Sequence, residues 1–372
     1  MKTKKTDVLT LVIFLAFVFG MLGMYFLLPG QTFSEKEKRY LANAPELTWE
    51  SLLSGEYGQQ VETYLADHIP GRDLLVGLAA YYDLLTGRQV TKDVYVAEGD
   101  RLVEAPVAWN EAAAQKNMNA INTFAQTIGR PVDLMIVPSA GYILQDTVQG
   151  IKDPYTDDSI IDGIYAMAGE NVTCRDLVSA FASAENKQDL YYRTDHHWTS
   201  LGAHTAYSAY MQMLGREFLA QDAFTVEQYG DFYGSNYSRS GLWLTPGENV
   251  ELWKTDASLT VTNGENSSVH DGVFYPERLE ELDKYTVYLD GNHSTVRIEN
   301  PEGEGKILVI RDSYANCLGT FLANSYETVV MVDLRYYKKP VSELLASEDF
   351  DDVLVCYSIG NFMTDANVIW LR

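Results

Sequence analysis

The sequence has 372 residues, with 28 basic (Lys and Arg) and 52 acidic (Asp and Glu) side chains, so its formal net charge at pH 7 is −24. A surface this acidic repels nucleic acid and anionic membranes, so we expect no nucleic-acid partner and favour a neutral or cationic polymer. The three cysteines, Cys174, Cys317 and Cys356, are too few for a disulfide framework, and we expect at most one bridge.

Residues 8–28 form an apolar run of 21 residues without a charge. A helix of this length, at ~1.5 Å rise per residue, spans the hydrocarbon core of a bilayer. Lys2, Lys4 and Lys5 precede the run and predict a cytoplasmic N-terminus, with the rest of the chain outside. A cleaved signal peptide is the alternative, but the run is long and residues 26–31 carry no small-x-small cleavage site. We therefore predict a cytoplasmic tip and transmembrane signal anchor over residues 1–29, in a single-pass protein of the cell membrane.

Residues 30–105 have the pattern of an extracytoplasmic stem. A solvated charged stretch at 35–40 is followed by helical spacing at 57–65 and 74–85. Pro70 and Gly71 predict a turn between these two helices.

Residues 106–372 alternate between helical and strand patterns, which predicts an α/β sandwich of three layers (α/β/α) around a largely parallel sheet. The predicted helices are 110–128, 160–168, 177–182 and 199–214. The predicted strands are 132–137, 306–310, 328–332 and 353–357. The pattern changes between about 222 and 302, where short alternating runs at 250–255, 258–262, 286–289 and 294–298 predict a β-rich insertion. We expect this insertion to border the functional site.

A carboxylate, two imidazoles and an indole stand together at residues 195–198, just before the helix that Thr199 caps. The Asp195-x-His197 spacing allows the carboxylate to hold one imidazole nitrogen while the other nitrogen faces a nucleophile. We expect His196 to pack beside His197 in a supporting position. Zinc binding by these residues with His204 is the alternative. His197 and His204 lie seven residues apart, about 10 Å along a helix, and this spacing argues against a shared ion.

Ser313 follows the strand at 306–310, where a buried strand gives way to a helical segment. This position exposes a hydroxyl at the carboxyl end of a parallel sheet, and the following helix directs its N-terminal amides at an oxyanion formed there. The alternative role for such a serine is that of a helix N-cap. A serine with a histidine base and its orienting acid are the parts of a nucleophilic hydrolase or acyltransferase.

The segment Arg193-Thr194-Asp195-His196-His197-Trp198-Thr199, with Asp312-Ser313-Tyr314 downstream, resembles the bacterial DHHW family. Through that family the chain resembles the SGNH-hydrolase-like proteins related to alginate O-acetylation. The resemblance runs from the anchor to the C-terminus and implies an SGNH-hydrolase-like catalytic domain over residues 106–372. Ordinary SGNH hydrolases carry the serine block first, whereas the alginate relatives and this chain have the circularly permuted order. The resemblance implies that Asp195 orients His197, that His197 is the general base and that Ser313 carries the acyl group.

The permuted order predicts that the other two SGNH blocks follow Ser313. The second of them is Gly360-Asn361 after the strand at 353–357, and Asn361 resembles the family's oxyanion donor, although a helix cap or turn residue is the alternative. We expect further donors at the Ser313 amide and at the Leu334 or Arg335 amide. Two departures from the family are the missing glycine at 333–336 and Arg311 before the Asp-Ser pair. We expect Trp198 and Tyr314 to flank the site as aromatic faces for a sugar ring.

The function that the resemblance implies is O-acetyl transfer onto a cell-surface or secreted polysaccharide through an acetyl-serine. The donor would be a membrane-embedded acyltransferase of the MBOAT class, and the membrane anchor would hold the enzyme near it. No cofactor or metal is implied. A carbohydrate acetyl esterase with the same side chains is one alternative, since water could replace the sugar. A non-catalytic polysaccharide-binding or export scaffold is the other.

Overall fold

The computed structural model describes residues 5–27, 30–88, 90–148, 150, 154–264 and 268–371. Lys2 and Lys4, which set the predicted orientation of the anchor, lie outside the described residues, as do residues 28–29 at its end. The chain divides into two units, Met1–Thr91 with Ser238–Leu244 and Lys92–Tyr237 with Thr245–Arg372. The larger unit therefore begins at Lys92, ahead of the predicted end of the stem at 105.

The first unit is helical and begins with an apolar helix. Thr6–Leu27 has a mean hydropathy of 2.4 and is long enough to cross a membrane. Its side chains are exposed or partly exposed along its length, which is consistent with a signal anchor. The elements of this unit are α1 (Lys5–Leu27), β1 (Phe33–Ser34), β2 (Arg39–Tyr40), α2 (Trp49–Ser54), α3 (Glu56–Asp67), α4 (Arg72–Leu85) and β3 (Val90–Thr91).

A buried carboxylate joins several parts of the first unit. Asp67, at the end of α3, is 6% exposed and accepts hydrogen bonds from both terminal nitrogens of the Arg39 guanidinium, at 2.9 and 2.5 Å. It also accepts from the Ala42 backbone N–H at 2.9 Å. The Arg72 guanidinium approaches the same carboxylate at 3.5 Å. The Arg39 hydrogen bonds outweigh the effect of burial and lower the pKa of Asp67 to about 2.

Asp67→Asn is expected to destabilise the first unit by roughly 1 to 2 kcal/mol at pH 7. Because the pKa of Asp67 is lower in the folded state than in an unfolded chain (about 3.9), its contribution is complete above that value and is lost as the pH falls toward 2. Hydrogen exchange of the α3 and α4 amides in the full chain measures the effect. Asp73→Asn is the matched control, since the more exposed Asp73 lies 3.9 Å from Arg72. An equal difference from wild type at pH 7 and pH 3 would contradict this account.

The second unit is built on an eight-stranded mixed sheet, in which five parallel strands are extended by three antiparallel ones from the β-rich insertion. The strands of the second unit, eight of which form this sheet, are β4 (Val94–Ala97), β5 (Arg101–Glu104), β6 (Val132–Val137), β7 (Val172–Cys174), β8 (Thr225–Phe232), β9 (Glu248–Lys254), β10 (Thr260–Asn263), β11 (His270–Asp271), β12 (Thr295–Glu299), β13 (Lys306–Arg311), β14 (Thr328–Val332) and β15 (Asp352–Ser358). The order in the sheet is β11-β10-β12-β14-β13-β15-β6-β7. The β8–β9 pair forms a separate antiparallel ribbon.

Helices cover both faces of this sheet, so the fold is a mixed α/β fold. The helices are α5 (Glu111–Ile128), α6 (Ala140–Ile143), α7 (Asp157–Tyr165), α8 (Val178–Ala182), α9 (Ser200–Leu214), α10 (Ser235–Ser240), α11 (Ala315–Leu322), α12 (Val341–Ser347) and α13 (Ile359–Thr364). Side chains of α5, α7 and α13 pack on one face, with Leu308, Ile310 and Val355 among their partners. On the other face α11 packs so closely on β14 that a Cβ at Gly319 would lie 2.5 Å from the Met331 sulfur. Because β13, β14, β15 and β6 run parallel, their carboxyl ends lie along one edge.

The strand predicted at 286–289 is wrong, because Lys284–Val287 forms a 3₁₀ helix. Tyr285, Val287, Tyr288 and Leu289 are all buried, so the segment has no solvent face of the kind an alternating strand requires.

Candidate active site

Ser313 lies in the turn between the end of β13 and the start of α11, at the carboxyl edge of the sheet. Its side chain is 9% exposed, and its backbone N–H donates to no acceptor among the described residues. Its Oγ lies 2.8 Å from His197 Nε2. The turn therefore presents both a hydroxyl with a hydrogen-bond acceptor and an unused backbone donor beside it.

His197 stands between Ser313 and Asp195. Its Nδ1 lies 2.6 Å from Asp195 Oδ1, and its backbone N–H donates to the same oxygen at 2.9 Å. A tight loop holds these groups, because Tyr191 pairs with Trp198 and the Tyr192 N–H donates to the His197 carbonyl. With the proton on Nδ1 facing the carboxylate, Nε2 is left as the acceptor for the serine hydroxyl. The sequence-predicted side chains Asp195, His197 and Ser313 thus form one hydrogen-bonded series.

Asp195 is 3% exposed and carries its charge in the interior. Burial raises the pKa of this carboxyl, but the adjacent His196 and His197 and the hydrogen bonds to it outweigh burial and hold the pKa well below its usual range. The Ser235 backbone N–H donates to its second oxygen, Oδ2, at 2.6 Å. A Cβ at Gly234 would lie 2.2 Å from the Asp195 Cβ, so only glycine allows this approach. The segment after β8, inside the β-rich insertion, therefore completes the surroundings of the acid.

His196 lies beside this series and, among the described residues, makes its side-chain hydrogen bond to Ser235 and not to Ser313. Its Nδ1 lies 2.6 Å from Ser235 Oγ, and its ring centroid is 3.8 Å from that of His197. Burial and the neighbouring His197 lower the pKa of His196, which favours the neutral ring. The structure thus places His196 next to His197 and Ser235.

Asp195, His196 and His197 offer ligand atoms within 4.8 Å of one another, which is the constellation for the zinc alternative. Their geometry fits hydrogen bonding better than metal binding, since Nδ1 of each histidine is engaged by Asp195 or Ser235. His204 is not part of the group, because its Nε2 faces the Leu219 carbonyl at 2.9 Å. We therefore assign no metal to these residues.

Tyr285, from the 3₁₀ helix of the insertion, is a residue that the sequence analysis missed. Its ring stacks on the His197 imidazole, with centroids 3.9 Å apart and planes 9° from parallel. Its hydroxyl donates to the Tyr314 carbonyl at 3.2 Å. Tyr285 therefore contacts the histidine and the serine segment at once, and no sequence motif marks it.

Trp198 and Tyr314 are buried and do not offer open faces to a sugar, contrary to the expectation from sequence. They are 0% and 3% exposed. The Trp198 indole N–H donates to the Tyr314 carbonyl at 2.9 Å, and the Tyr314 hydroxyl donates to the His196 carbonyl. Both aromatic residues instead tie the Ser313 segment to the 195–198 loop.

Asp312 accepts hydrogen bonds that hold the turn carrying Ser313. One of the donors is Asn361, the predicted oxyanion donor. Its Oδ2 accepts from the Ser358 N–H, the Ser358 hydroxyl and the Asn361 amide, each at 2.8 Å, and its Oδ1 accepts from the Tyr314 N–H at 3.0 Å. Ser358 caps α13 by accepting from the Asn361 N–H. Asn361 is therefore brought to the same edge as Ser313, with its amide directed at the neighbouring Asp312.

Arg335 is turned toward Asp333 rather than toward Ser313. Its backbone N–H and its guanidinium both donate to the Asp333 carboxylate. The Arg335 backbone N–H is thus already paired with Asp333, and of the two predicted alternatives the Leu334 amide remains a candidate. Arg311 is fully buried and also reaches Asp333, at 3.4 Å, while donating to Asn292 at 2.9 Å.

In this α/β fold, a serine, a histidine and an aspartate stand in hydrogen-bonded series at the edge of the sheet. Serine hydrolases and acyltransferases use this arrangement. The model of the DHHW protein family matches residues 108–332. The chain belongs to the DHHW family.

The chain is similar to the probable alginate O-acetylase AlgJ of Pseudomonas putida, with 24% identity over 177 residues. The match covers 45% of this chain and 46% of that protein, so it spans about half of the relative's length. A crystal structure of a DHHW family protein from Eubacterium siraeum is 20% identical with a TM-score of 0.68, covering 76% of this chain and 95% of that one. Bacillus cereus PatB1 with a sulfonyl adduct is 21% identical with a TM-score of 0.62, covering 75% and 98%. At these identities the two structures show the shared fold.

Proposed function

We propose that this protein is a membrane-anchored, extracytoplasmic serine O-acetyltransferase that acts on a cell-surface or secreted polysaccharide. The observation that carries the proposal is the hydrogen-bonded series from Asp195 through His197 to Ser313. The name of the AlgJ relative supports acetyl transfer to a polysaccharide. The proposed organisation is an anchor over 1–29, a stem over 30–105 and a catalytic domain of permuted SGNH block order over 106–372.

The first half-reaction would load the serine. Ser313 Oγ attacks the carbonyl carbon of an acetyl donor, and His197 Nε2 takes the hydroxyl proton as the new C–O bond forms. Asp195 holds the Nδ1–H and stabilises the imidazolium. The Ser313 N–H and the N-terminus of α11 can donate to the oxyanion, with the Leu334 N–H and the Asn361 amide as further candidates. Collapse of the tetrahedral intermediate breaks the donor's C–O bond, and His197 returns the proton to the leaving oxygen.

The second half-reaction would transfer the acetyl group. A sugar hydroxyl attacks acetyl-Ser313 while His197 Nε2 accepts its proton, and the Ser313 alkoxide leaves and is reprotonated. The proposed donor is a membrane-embedded acyltransferase of the MBOAT type, and the anchor would raise the effective concentration of this domain beside it. Water in place of the sugar would give the esterase reaction.

The test is to incubate the purified full chain with a chromogenic acetyl ester and search Ser313 for acetylation by mass spectrometry, with His197→Ala alongside. We expect release of the chromogen and an acetyl mark on Ser313, both lost in His197→Ala. Adding an oligosaccharide should divert acetyl from water to sugar. Release without any transfer to sugars would favour the esterase. No release and no acetyl-serine in the wild type would overturn the proposal and favour the scaffold.

Tyr285→Leu is expected to lower kcat by up to about tenfold, because it removes the ring that holds the His197 imidazole parallel, a contact of about 0.5–1.5 kcal/mol. Tyr285→Phe keeps the stacking and loses only the long hydroxyl contact, so it should retain most of the activity. Steady-state kinetics on the acetyl ester measure both. A positioning role predicts a fall in kcat with little change in KM, and equal losses in the two variants would contradict it.

A further inference from the structure

The stem carries a concentration of exposed apolar side chains that the rest of the protein does not show. Among the described residues that follow α1, twelve large apolar side chains between residues 40 and 85 are exposed, against six in the whole of the larger unit. The twelve are Tyr40, Leu47, Trp49, Leu52, Leu53, Leu65, Ile69, Leu74, Leu75, Leu78, Tyr82 and Leu85. Exposed apolar surface on this scale marks an interaction site.

The clearest part of this surface is a stripe along α4. Leu74, Leu78, Tyr82 and Leu85 recur at helical spacing and are 68%, 57%, 65% and 87% exposed. The opposite side of α4 is already packed within the same unit: Ala80 is buried, and a Cβ at Gly77 would lie 3.6 Å from the Trp243 ring. We call these four side chains the α4 stripe. It is the unpartnered face of a helix whose other face is satisfied.

The stripe begins next to the outer end of α1. Met24 and Tyr25, near the end of α1, line one depression together with Tyr64 of α3 and the α3–α4 turn residues 67–73. Just beyond α1, a Cβ at Gly30 would lie 3.8 Å from the His68 ring. The turn that starts α4 is therefore held at the level where α1 would leave a bilayer, which is the membrane–water interface.

We propose that the α4 stripe docks on the outer leaflet of the membrane, with its side chains in the interfacial region of the lipid. The inference rests on the proposed function to the extent that α1 must be a membrane anchor. A tyrosine among leucines suits the interface, where an amphipathic ring contacts both acyl chains and water.

The charge of the stem specifies the kind of lipid. Helices α2 to α4 carry one arginine, Arg72, against six acidic residues, whereas helices that bind anionic lipid are rich in Lys and Arg. Docking therefore depends on apolar burial, and neutral zwitterionic lipid is the fitting surface. Docking would fix the height and the tilt of the stem above the bilayer, whereas the anchor alone would limit only its distance from the bilayer.

The experiment places an environment-sensitive fluorophore on the stripe in the full chain, reconstituted in phosphatidylcholine vesicles. Leu78→Cys and Tyr82→Cys are labelled in a Cys174→Ser background, since Cys317 and Cys356 are buried. Gln126→Cys, an exposed helical position of α5, is the matched control. Flotation of the chain with vesicles after an alkaline wash tests the anchor separately.

We expect the labels at 78 and 82 to emit at shorter wavelength and to lose emission when the acyl chains carry a shallow spin label, while the label at 126 does neither. Partial replacement by phosphatidylglycerol should not strengthen the effect. Iodide quenching at 78 equal to that at 126, in a chain that floats, would overturn docking and leave the anchor standing. Shielding from iodide without quenching by the lipid would show that a second copy covers the stripe, and would also overturn it. Failure of the chain to float with the vesicles would contradict both the anchor and the docking.

Discussion

Ser313→Ala is expected to abolish acetyl release and acetyl-enzyme formation, lowering kcat by on the order of 10⁴-fold or more. The Ser313 hydroxyl is the only nucleophilic group of the described residues within hydrogen-bond reach of His197 Nε2, at 2.8 Å. Once this hydroxyl is removed, His197 has no nucleophile from which to take a proton. What persists is the catalysis that binding and oxyanion donors provide without a covalent intermediate.

The measurement is single-turnover kinetics on an acetyl ester together with intact-mass analysis of the protein. The fold should be unaffected, because the side-chain contact that Ser313 loses is the one to His197, while Asp312 still receives its four hydrogen bonds. An unchanged melting curve controls for this. Acetylation of Ser313→Ala at another residue, with turnover near that of wild type, would show that the nucleophile had been assigned wrongly.

Asp195→Asn is expected to lower kcat by about 10⁴-fold at neutral pH while leaving the backbone in place. Asp195 Oδ1 accepts from the His197 N–H and Nδ1–H, and Oδ2 accepts from the Ser235 N–H. An amide cannot accept at both ends. If its oxygen faces His197, its NH₂ opposes the Ser235 N–H. If it is turned, it donates to Nδ1 and places the His197 proton on Nε2, which is then unable to accept from Ser313.

The pH profile distinguishes these effects from simple unfolding. The pKa of Asp195 lies well below its usual range, so the wild-type carboxylate stays ionised across the accessible acidic range and contributes no limb of its own there. Asp195→Asn should therefore lower the plateau of log(kcat) against pH without adding an acidic limb. A new acidic limb, or a loss below tenfold, would contradict the role assigned to Asp195.

Asp195, His197 and Ser313 can be proposed as site residues from the sequence because the signal for each of them is local. Asp195 and His197 are two residues apart, and Ser313 follows a strand whose apolar run is unmistakable. What the sequence could not predict depends on contacts across the chain: Gly234 beside Asp195, Tyr285 on His197, and Ser358 with Asp312. None of these has a motif, since each is defined by proximity after folding.

Sequence reasoning also misassigned residues whose side-chain type is compatible with two different structural roles. Trp198 and Tyr314 are aromatic and adjacent to the reactive groups, a pattern that fits either sugar stacking or internal packing, and burial decides for packing. The run at 286–289 has strand-forming residues but no exposed face, so the 3₁₀ helix replaces the strand. The apolar helix α1, by contrast, is predictable from length and hydropathy alone.

The position of β15 in the sheet has a consequence for how the larger unit folds. It is the last strand of the sheet in chain order, yet it lies in the middle, between β13 and β6. The strands made before it therefore leave two facing edges, those of β13 and β6, unpaired until residues 352–358 join the sheet. Ser358 is also the residue that anchors Asp312 beside the serine. The turn that carries Ser313 is thus completed only when the last strand of the chain joins the sheet.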